Sequence, residues 1–280
     1  MNLARFARRR YTPGFTQIAP LNRLTAALGG ARIWVKRDDQ LGLAGGGNKT
    51  RKLEFLVADA IKNGADTLVT CGAPQSNHCR LTLGAANVEG LKCQLVLEEL
   101  APGTYDKGAS GNNFLYQLLG VEERIVVGAG TDLNAEMARV IDDLAAVGRK
   151  GYAIPSGGSN AIGALGYVSC AEEILSQGFE LGVNFDAVVV CSGSAGTHAG
   201  LLVGMQGNHS GIPVHGVSNS RHFPEQFPKV HELANQTADL LGIPAIEADT
   251  VIIQDGHIGA GYSIPTPEMV EVVHMLARLE

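Results

Sequence analysis

Aromatic side chains are scarce in this 280-residue sequence, at 5% of the total with a single tryptophan, Trp34. With 36 glycines and 45% apolar residues alongside, that scarcity suits an α/β protein with many tight turns better than a β-sandwich. Positive charge is also short. The formal net charge of −6 argues against a nucleic-acid partner, which demands a basic face. The one basic run, Arg8-Arg9-Arg10, reads as a solvated tail. No apolar run approaches the length of a membrane span, and the start, Met-Asn-Leu-Ala-Arg-Phe, lacks the apolar core of a signal peptide. The five cysteines, Cys71, Cys79, Cys93, Cys170 and Cys191, form no CxxC pair and fit reduced thiols in the cytoplasm.

The most informative stretch is Gly45-Gly46-Gly47-Asn48-Lys49-Thr50-Arg51-Lys52-Leu53-Glu54-Phe55. Three glycines permit positive φ and a close approach of backbone to a ligand. Asn48 is a good N-cap. From Thr50 onward Leu53, Leu56, Val57, Ala60 and Ile61 share one helical face. Lys49 then sits at a helix N-terminus, where anions are attracted, with Lys52 on roughly the same face. Two solvated lysines after an ordinary turn is one reading. The other needs one lysine as a buried, imine-forming amine and the other paired with a phosphate.

The rest of the chain alternates strands and helices. Strand candidates are 33–36, 67–70, 93–97, 124–127, 152–154, 187–191, 214–217 and 251–253. Helical patterns fall between them and at 267–279. This implies parallel sheets with helices on both faces. Gly-rich breaks near 45–49 and 155–160 suggest two chain crossings. The expected organisation is a large domain of residues 1–49 and 156–280 with a small α/β domain, 50–155, inserted into it. Sites in such sheets lie at the carboxyl ends of strands.

Two such strand ends stand out. Gln75-Ser76-Asn77-His78 opens a helix. Its backbone N–H groups and the Ser76 hydroxyl can hold a carboxylate, and the Asn77 amide can donate to a phenolate oxygen, or the stretch is an ordinary capped turn. Ser192 to Thr197 is a run of small residues entering a helix, as in a phosphate cradle. Its Gly193, Gly196 and Gly200 do not make GxGxxG, and no acidic residue ends the next strand, which disfavours NAD. His78 and His198 have no carboxylate or cysteine partner at ligand spacing, so no metal site is expected.

Together GGGNKTRKLEF, Lys36-Arg37-Asp38-Asp39, Gln75-Ser76-Asn77-His78, the run Ser192 to Gly200 and Gly261-Tyr262-Ser263-Ile264-Pro265 resemble the pyridoxal-phosphate enzymes that include D-cysteine desulfhydrase and 1-aminocyclopropane-1-carboxylate deaminase. The resemblance runs from Leu3 to Glu280. It implies a tryptophan-synthase-β-like fold (fold type II) of two open twisted parallel-sheet domains, usually a homodimer, acting on a small amino acid. By resemblance Lys49 binds the cofactor covalently and Lys52 contacts its phosphate. Ser194, Ala195, Gly196 and Thr197 cradle that phosphate, and Asn77 meets the 3′ oxygen. Ser76, Asn77 and His78 hold the substrate carboxylate, and Tyr262 faces the substrate. Lys49, Ser76 and Tyr262 are the implied catalytic residues. Relatives continue past this point, so the resemblance also implies that the last sheet strand and the pyridine-nitrogen partner are missing.

The leading expectation is a carbon–sulfur lyase releasing sulfide from D-cysteine. An L-cysteate sulfo-lyase, suggested by Pro74 and Cys79 around the serine motif, and a cyclopropane-amino-acid deaminase are its close alternatives. Two other classes compete. A nucleotide-dependent oxidoreductase would use the Ser192–Thr197 cradle but leaves Lys49 idle. A catalytically dead, truncated pyridoxal-phosphate-binding homologue would keep the cofactor without turnover.

Overall fold

The computed structural model describes residues 1–99, 103 and 105–280. A short strand β1 (Ile18–Pro20) precedes helix α1 (Asn22–Leu28) and strand β2 (Trp34–Lys36). Then follow α2 (Lys49–Lys62), β3 (Thr67–Gly72), α3 (Asn77–Glu89), β4 (Lys92–Glu99), α4 (Asn112–Leu118), β5 (Glu123–Gly128), α5 (Leu133–Ala146), β6 (Gly151–Ile154) and the long α6 (Ala161–Leu181). The remainder is β7 (Val188–Ser192), α7 (Gly196–Gly207), β8 (Val214–Ser218), α8 (Phe223–Leu241), β9 (Ile252–Gln254) and α9 (Pro267–Leu279).

Packing divides the chain into two compact units. A glycine-loop unit comprises Asn2–Pro13 and Leu41–Tyr167; a cradle unit comprises Met1, Gly14–Gln40 and Val168–Glu280. The boundaries fall near residues 40 and 167, where 49 and 155 were expected, so Lys49 packs with the inserted unit. Residues 2–13 pack there too. Arg8 is not solvated: its guanidinium pairs with the buried Glu54 at 2.6 Å, and the Tyr11 and Thr12 N–H groups donate to the other Glu54 oxygen at 2.9 and 3.0 Å. A buried carboxylate needs such donors, and this one draws the supposed tail onto α2. Arg9 likewise pairs with Glu89 at 2.7 Å.

In the glycine-loop unit four parallel strands run in the order β5-β4-β3-β6. Central β3 is buried on both faces, as parallel strands covered by helices are. Leu68 faces the α2 and α3 side with Leu53, Leu56, Leu81 and Leu95. Val69 and Cys71 face the opposite side with Met137, Val140 and Leu144 of α5.

The cradle unit has three parallel strands, β7-β8-β9, and a separate antiparallel pair, β1 with β2. Helices α7 and α8 carry its apolar core through Leu202, Val203, Val230 and Ala234. Lys36, in the Lys-Arg-Asp-Asp run, pairs with buried Glu173 at 2.9 Å and donates to the Thr16 carbonyl at 2.7 Å. Strand β2, the segment just before β1 and α6 are thereby tied together.

Candidate active site

The glycine loop is strained where the sequence allows it. Gly45, Gly46 and Gly47 take φ of 87°, 87° and 139°, values a side chain resists. A Cβ on Gly47 would also press to 3.0 Å from Leu81. The loop delivers Lys49 as the first residue of α2. Asn48 does not cap that helix as expected. Its backbone is already helical, its side chain makes no capping bond, and its Oδ1 accepts from Lys49 Nζ at 3.1 Å.

The two lysines divide differently from the simplest reading of the sequence. Lys52 is the sealed one, fully buried, with Nζ donating to the Gly157 carbonyl at 3.0 Å and the Ser159 hydroxyl at 3.2 Å. Burial, and then the charge of Lys49, push its pKa well below that of a free lysine. Lys49 remains partly exposed. An amine that must exchange with an incoming substrate has to be reachable, and of the two only Lys49 is.

The next strand end in this unit carries the serine motif. Ser76 is the N-cap of α3, its hydroxyl accepting from the Cys79 N–H at 3.2 Å. Gly72 makes room for it: a Cβ there would lie 2.7 Å from Ser76 Oγ. Asn77 is exposed, while the His78 ring is buried. The Thr70 hydroxyl donates to the Ile154 carbonyl at 2.8 Å, which leaves its oxygen to accept from His78 Nε2, also at 2.8 Å. Burial, then Lys49 and Lys52, push the His78 pKa down to about 3. The ring is neutral at ordinary pH, so any part His78 takes in holding a carboxylate falls to its backbone N–H in the first turn of α3. Cys79 is inert, with its thiol pushed up to about 12 by burial.

In the cradle unit, Ala195 sits at φ 71°, ψ −38°, and Gly196 N–H bonds back to the Ser194 carbonyl at 3.0 Å. This is a positive-φ γ-turn, rare and strained for alanine. It turns β7 into α7 with no side chain capping the helix, so the first-turn N–H groups at Thr197 and His198 have no intrahelical carbonyl, an arrangement suited to an anion. The turn is held from behind by Gln226, which sequence reading did not single out, and by His198, which it weighed only as a metal ligand. Gln226, fully buried, donates to Ser192 Oγ at 2.9 Å and to the Gly193 carbonyl at 3.1 Å. His198 Nδ1 lies 3.2 Å from the same hydroxyl, in space that a Cβ on Gly216 would fill. A glutamine in line with Val230, Leu233 and Thr237 on an apolar helix face was the available signal.

Tyr262 belongs to the same unit. It is half exposed and lines a cavity of about 460 Å³ with Cys191, Ser218, Asn219 and His257. The lining does not include Ser194 to Thr197. The structure thus groups Lys49, Lys52, Ser76, Asn77 and His78 in one unit and Ser194 to Thr197 with Tyr262 in the other.

The chemistry of each unit's donors suits pyridoxal phosphate: one carries a reachable primary amine for its aldehyde and an exposed amide for its phenolate oxygen, the other an uncapped helix N-terminus for its phosphate. The family model described as pyridoxal-phosphate dependent enzyme matches residues 10–280. The chain is 44% identical over 280 residues to the D-cysteine desulfhydrase of Yersinia enterocolitica serotype O:8 / biotype 1B, covering 99% of this chain and 83% of that protein. A crystallised ACC deaminase homologue superposes with a TM-score of 0.89 at 34% identity, over 99% of this chain and 81% of that one. A crystallised threonine deaminase from T.th., at 20% identity and a TM-score of 0.55 over 73% and 59% of the two chains, shares the fold.

Proposed function

The chain belongs to the pyridoxal-phosphate dependent enzymes, and on that premise we propose that it is a lyase converting D-cysteine and water to pyruvate, ammonia and sulfide. The observation that carries this reading is the 44% identity to a D-cysteine desulfhydrase across 99% of the chain. When bound, pyridoxal phosphate supplies the electron sink that stabilises negative charge at the amino acid's Cα.

The protein's own residues do the rest. Lys49 would hold the cofactor covalently, and its free amine would be the base for the substrate's Cα proton. The α7 N-terminus, with the Thr197 hydroxyl, takes the phosphate beside Ser194, Ala195 and Gly196. Ser76 and the first-turn N–H groups of Asn77 and His78 hold the substrate carboxylate, and the Ser76 hydroxyl moves protons near Cβ. Tyr262 faces the substrate. Lys52, whose amine is held by Gly157 and Ser159, is the lysine assigned to the cofactor phosphate.

The reading includes a homodimer in the cytoplasm. All five cysteines are free thiols, in keeping with a reducing compartment, and among the described residues no helix is long and apolar enough to cross a membrane.

An absorbance spectrum of the purified protein, with pyruvate assays on D-cysteine, L-cysteate and L-cysteine, tests this. A yellow protein forming pyruvate and sulfide fastest from D-cysteine is expected. Faster sulfite release from L-cysteate, or a yellow protein with no turnover on any of the three, would overturn it.

A further inference from the structure

Asn77 presents a terminal amide whose two ends are chemically opposite, so its orientation decides what it can bind. In the glycine-loop unit that orientation is set by a chain of hydrogen bonds that begins at Arg80. A guanidinium only donates, so the Asn112 atom 2.9 Å from Arg80 must be the acceptor Oδ1. Asn112 Nδ2 therefore points the other way. It donates to the Gln75 carbonyl at 2.7 Å and to Asn77 Oδ1 at 2.9 Å. With Oδ1 engaged, the Asn77 Nδ2 group is turned outward as a donor.

The relay is built in. Asn112 is buried, and its own backbone N–H donates to Gln75 Oε1 at 2.8 Å. Gly111 before it takes φ 73°, and a Cβ there would stand 2.7 Å from that same Gln75 oxygen. The second Arg80 nitrogen holds the Gly46 carbonyl at 2.6 Å, three residues before Lys49. One side chain thus fixes both the loop that delivers the lysine and, through Asn112, the polarity of Asn77.

We propose that Arg80 and Asn112 are positioning residues that hold the Asn77 amide with its N–H outward, toward an anionic oxygen of the bound cofactor. This rests on the pyridoxal-phosphate reading above. Neither residue needs to touch the cofactor; each acts through Asn77.

The test compares Asn112→Asp and Asn112→Ala, each alone and combined with Asn77→Ala. The readouts are the dissociation constant for pyridoxal 5′-phosphate, by absorbance titration, and the melting temperature of the cofactor-free protein. Aspartate keeps the size and the Arg80 contact but cannot donate, so Asn77 must turn its N–H inward and its oxygen outward. Asn112→Asp is expected to weaken binding by about tenfold or more, and by more than Asn112→Ala, which only frees the amide. In the Asn77→Ala background neither change should weaken it further.

A packing role alone predicts the reverse order, with alanine the more damaging, and equal losses in both backgrounds; that pattern would overturn the relay. So would wild-type affinity in Asn112→Asp. A wild-type protein that binds no pyridoxal phosphate would remove the functional reading and the relay with it. Tight wild-type binding with an unaffected Asn112→Asp removes the relay alone.

Discussion

Helices α3 and α7 each follow a parallel strand through a short turn, yet their N-termini are finished in opposite ways. The α3 terminus is closed by its own side chain, since Ser76 accepts from the Cys79 N–H. The α7 terminus has no side-chain cap, and Ala195 is held in a positive-φ turn to reach it. A capped helix end has already spent part of its pull on an anion, whereas an uncapped one keeps it. On the proposed reading the same strand–turn–helix device serves two ligands: α7 offers backbone N–H groups to the phosphate, and α3 adds the side chains of Ser76 and Asn77 to the N–H groups it offers the substrate. The lysines repeat the contrast at shorter range, with Lys52 sealed by Gly157 and Ser159 and Lys49 left reachable.

The largest effect is expected at Lys49. Lys49→Ala should lower pyruvate formation to below about one hundredth of wild type, because no other reachable amine takes its place. Activity above that level in a steady-state assay would break the distinction between the two lysines.

Next comes the uncapped helix. Thr197→Ala should weaken pyridoxal phosphate binding by about 1.5–3 kcal/mol, the value of a hydrogen bond to a charged group, while bound enzyme turns over nearly as before. Equilibrium titration measures it, and unchanged affinity would show that α7 does not take the phosphate.

The capped helix should respond in the other sense. Ser76→Ala is expected to cost about 0.5–2 kcal/mol of stability in denaturant unfolding through the lost cap, and to slow turnover without a matching loss of cofactor affinity. If Ser76→Ala and Thr197→Ala lower affinity equally, the two helix ends are not functionally distinct.

A pH dependence of the cofactor-free protein is expected as well. Burial holds His78 at about 3 and His198 at about 4, below an ordinary histidine. Each binds a proton more readily when unfolded. Their contribution to stability is whole above about pH 6.5 and is lost as pH falls toward their folded values, at up to about 1.4 kcal/mol per pH unit for each. His198→Asn should flatten the fall in melting temperature between about pH 6.5 and 4.5. An unchanged slope would show that His198 does not titrate with unfolding.

Much of the fold was legible because buried parallel strands announce themselves. Thr67–Thr70 and Cys93–Leu97 are runs rich in apolar and β-branched residues, and each lies within an observed strand. Strand β1 was not legible. It is three residues long, includes Pro20, and owes its existence to antiparallel pairing with β2. Helix α8 begins at Phe223 and takes Pro224 into its first turn, where proline's missing N–H costs nothing. At the site, Lys49, Ser76 and Asn77 could be read from local motifs. Asn112 could not, since it acts on a loop 35 residues away through a hydrogen bond that leaves no local pattern, and Gln226 showed only as a polar break in an apolar helix face, with nothing to point to the loop 34 residues away that it holds.

The central claim is that Lys49, and not the neighbouring Lys52, is the amine that carries the cofactor. Reducing the pyridoxal-phosphate-loaded protein with borohydride and mapping its peptides by mass spectrometry tests this directly. The account predicts one stable pyridoxyl adduct, at Lys49, with Lys52 unmodified. An adduct on Lys52, or a yellow protein with no adduct at either lysine, would contradict it.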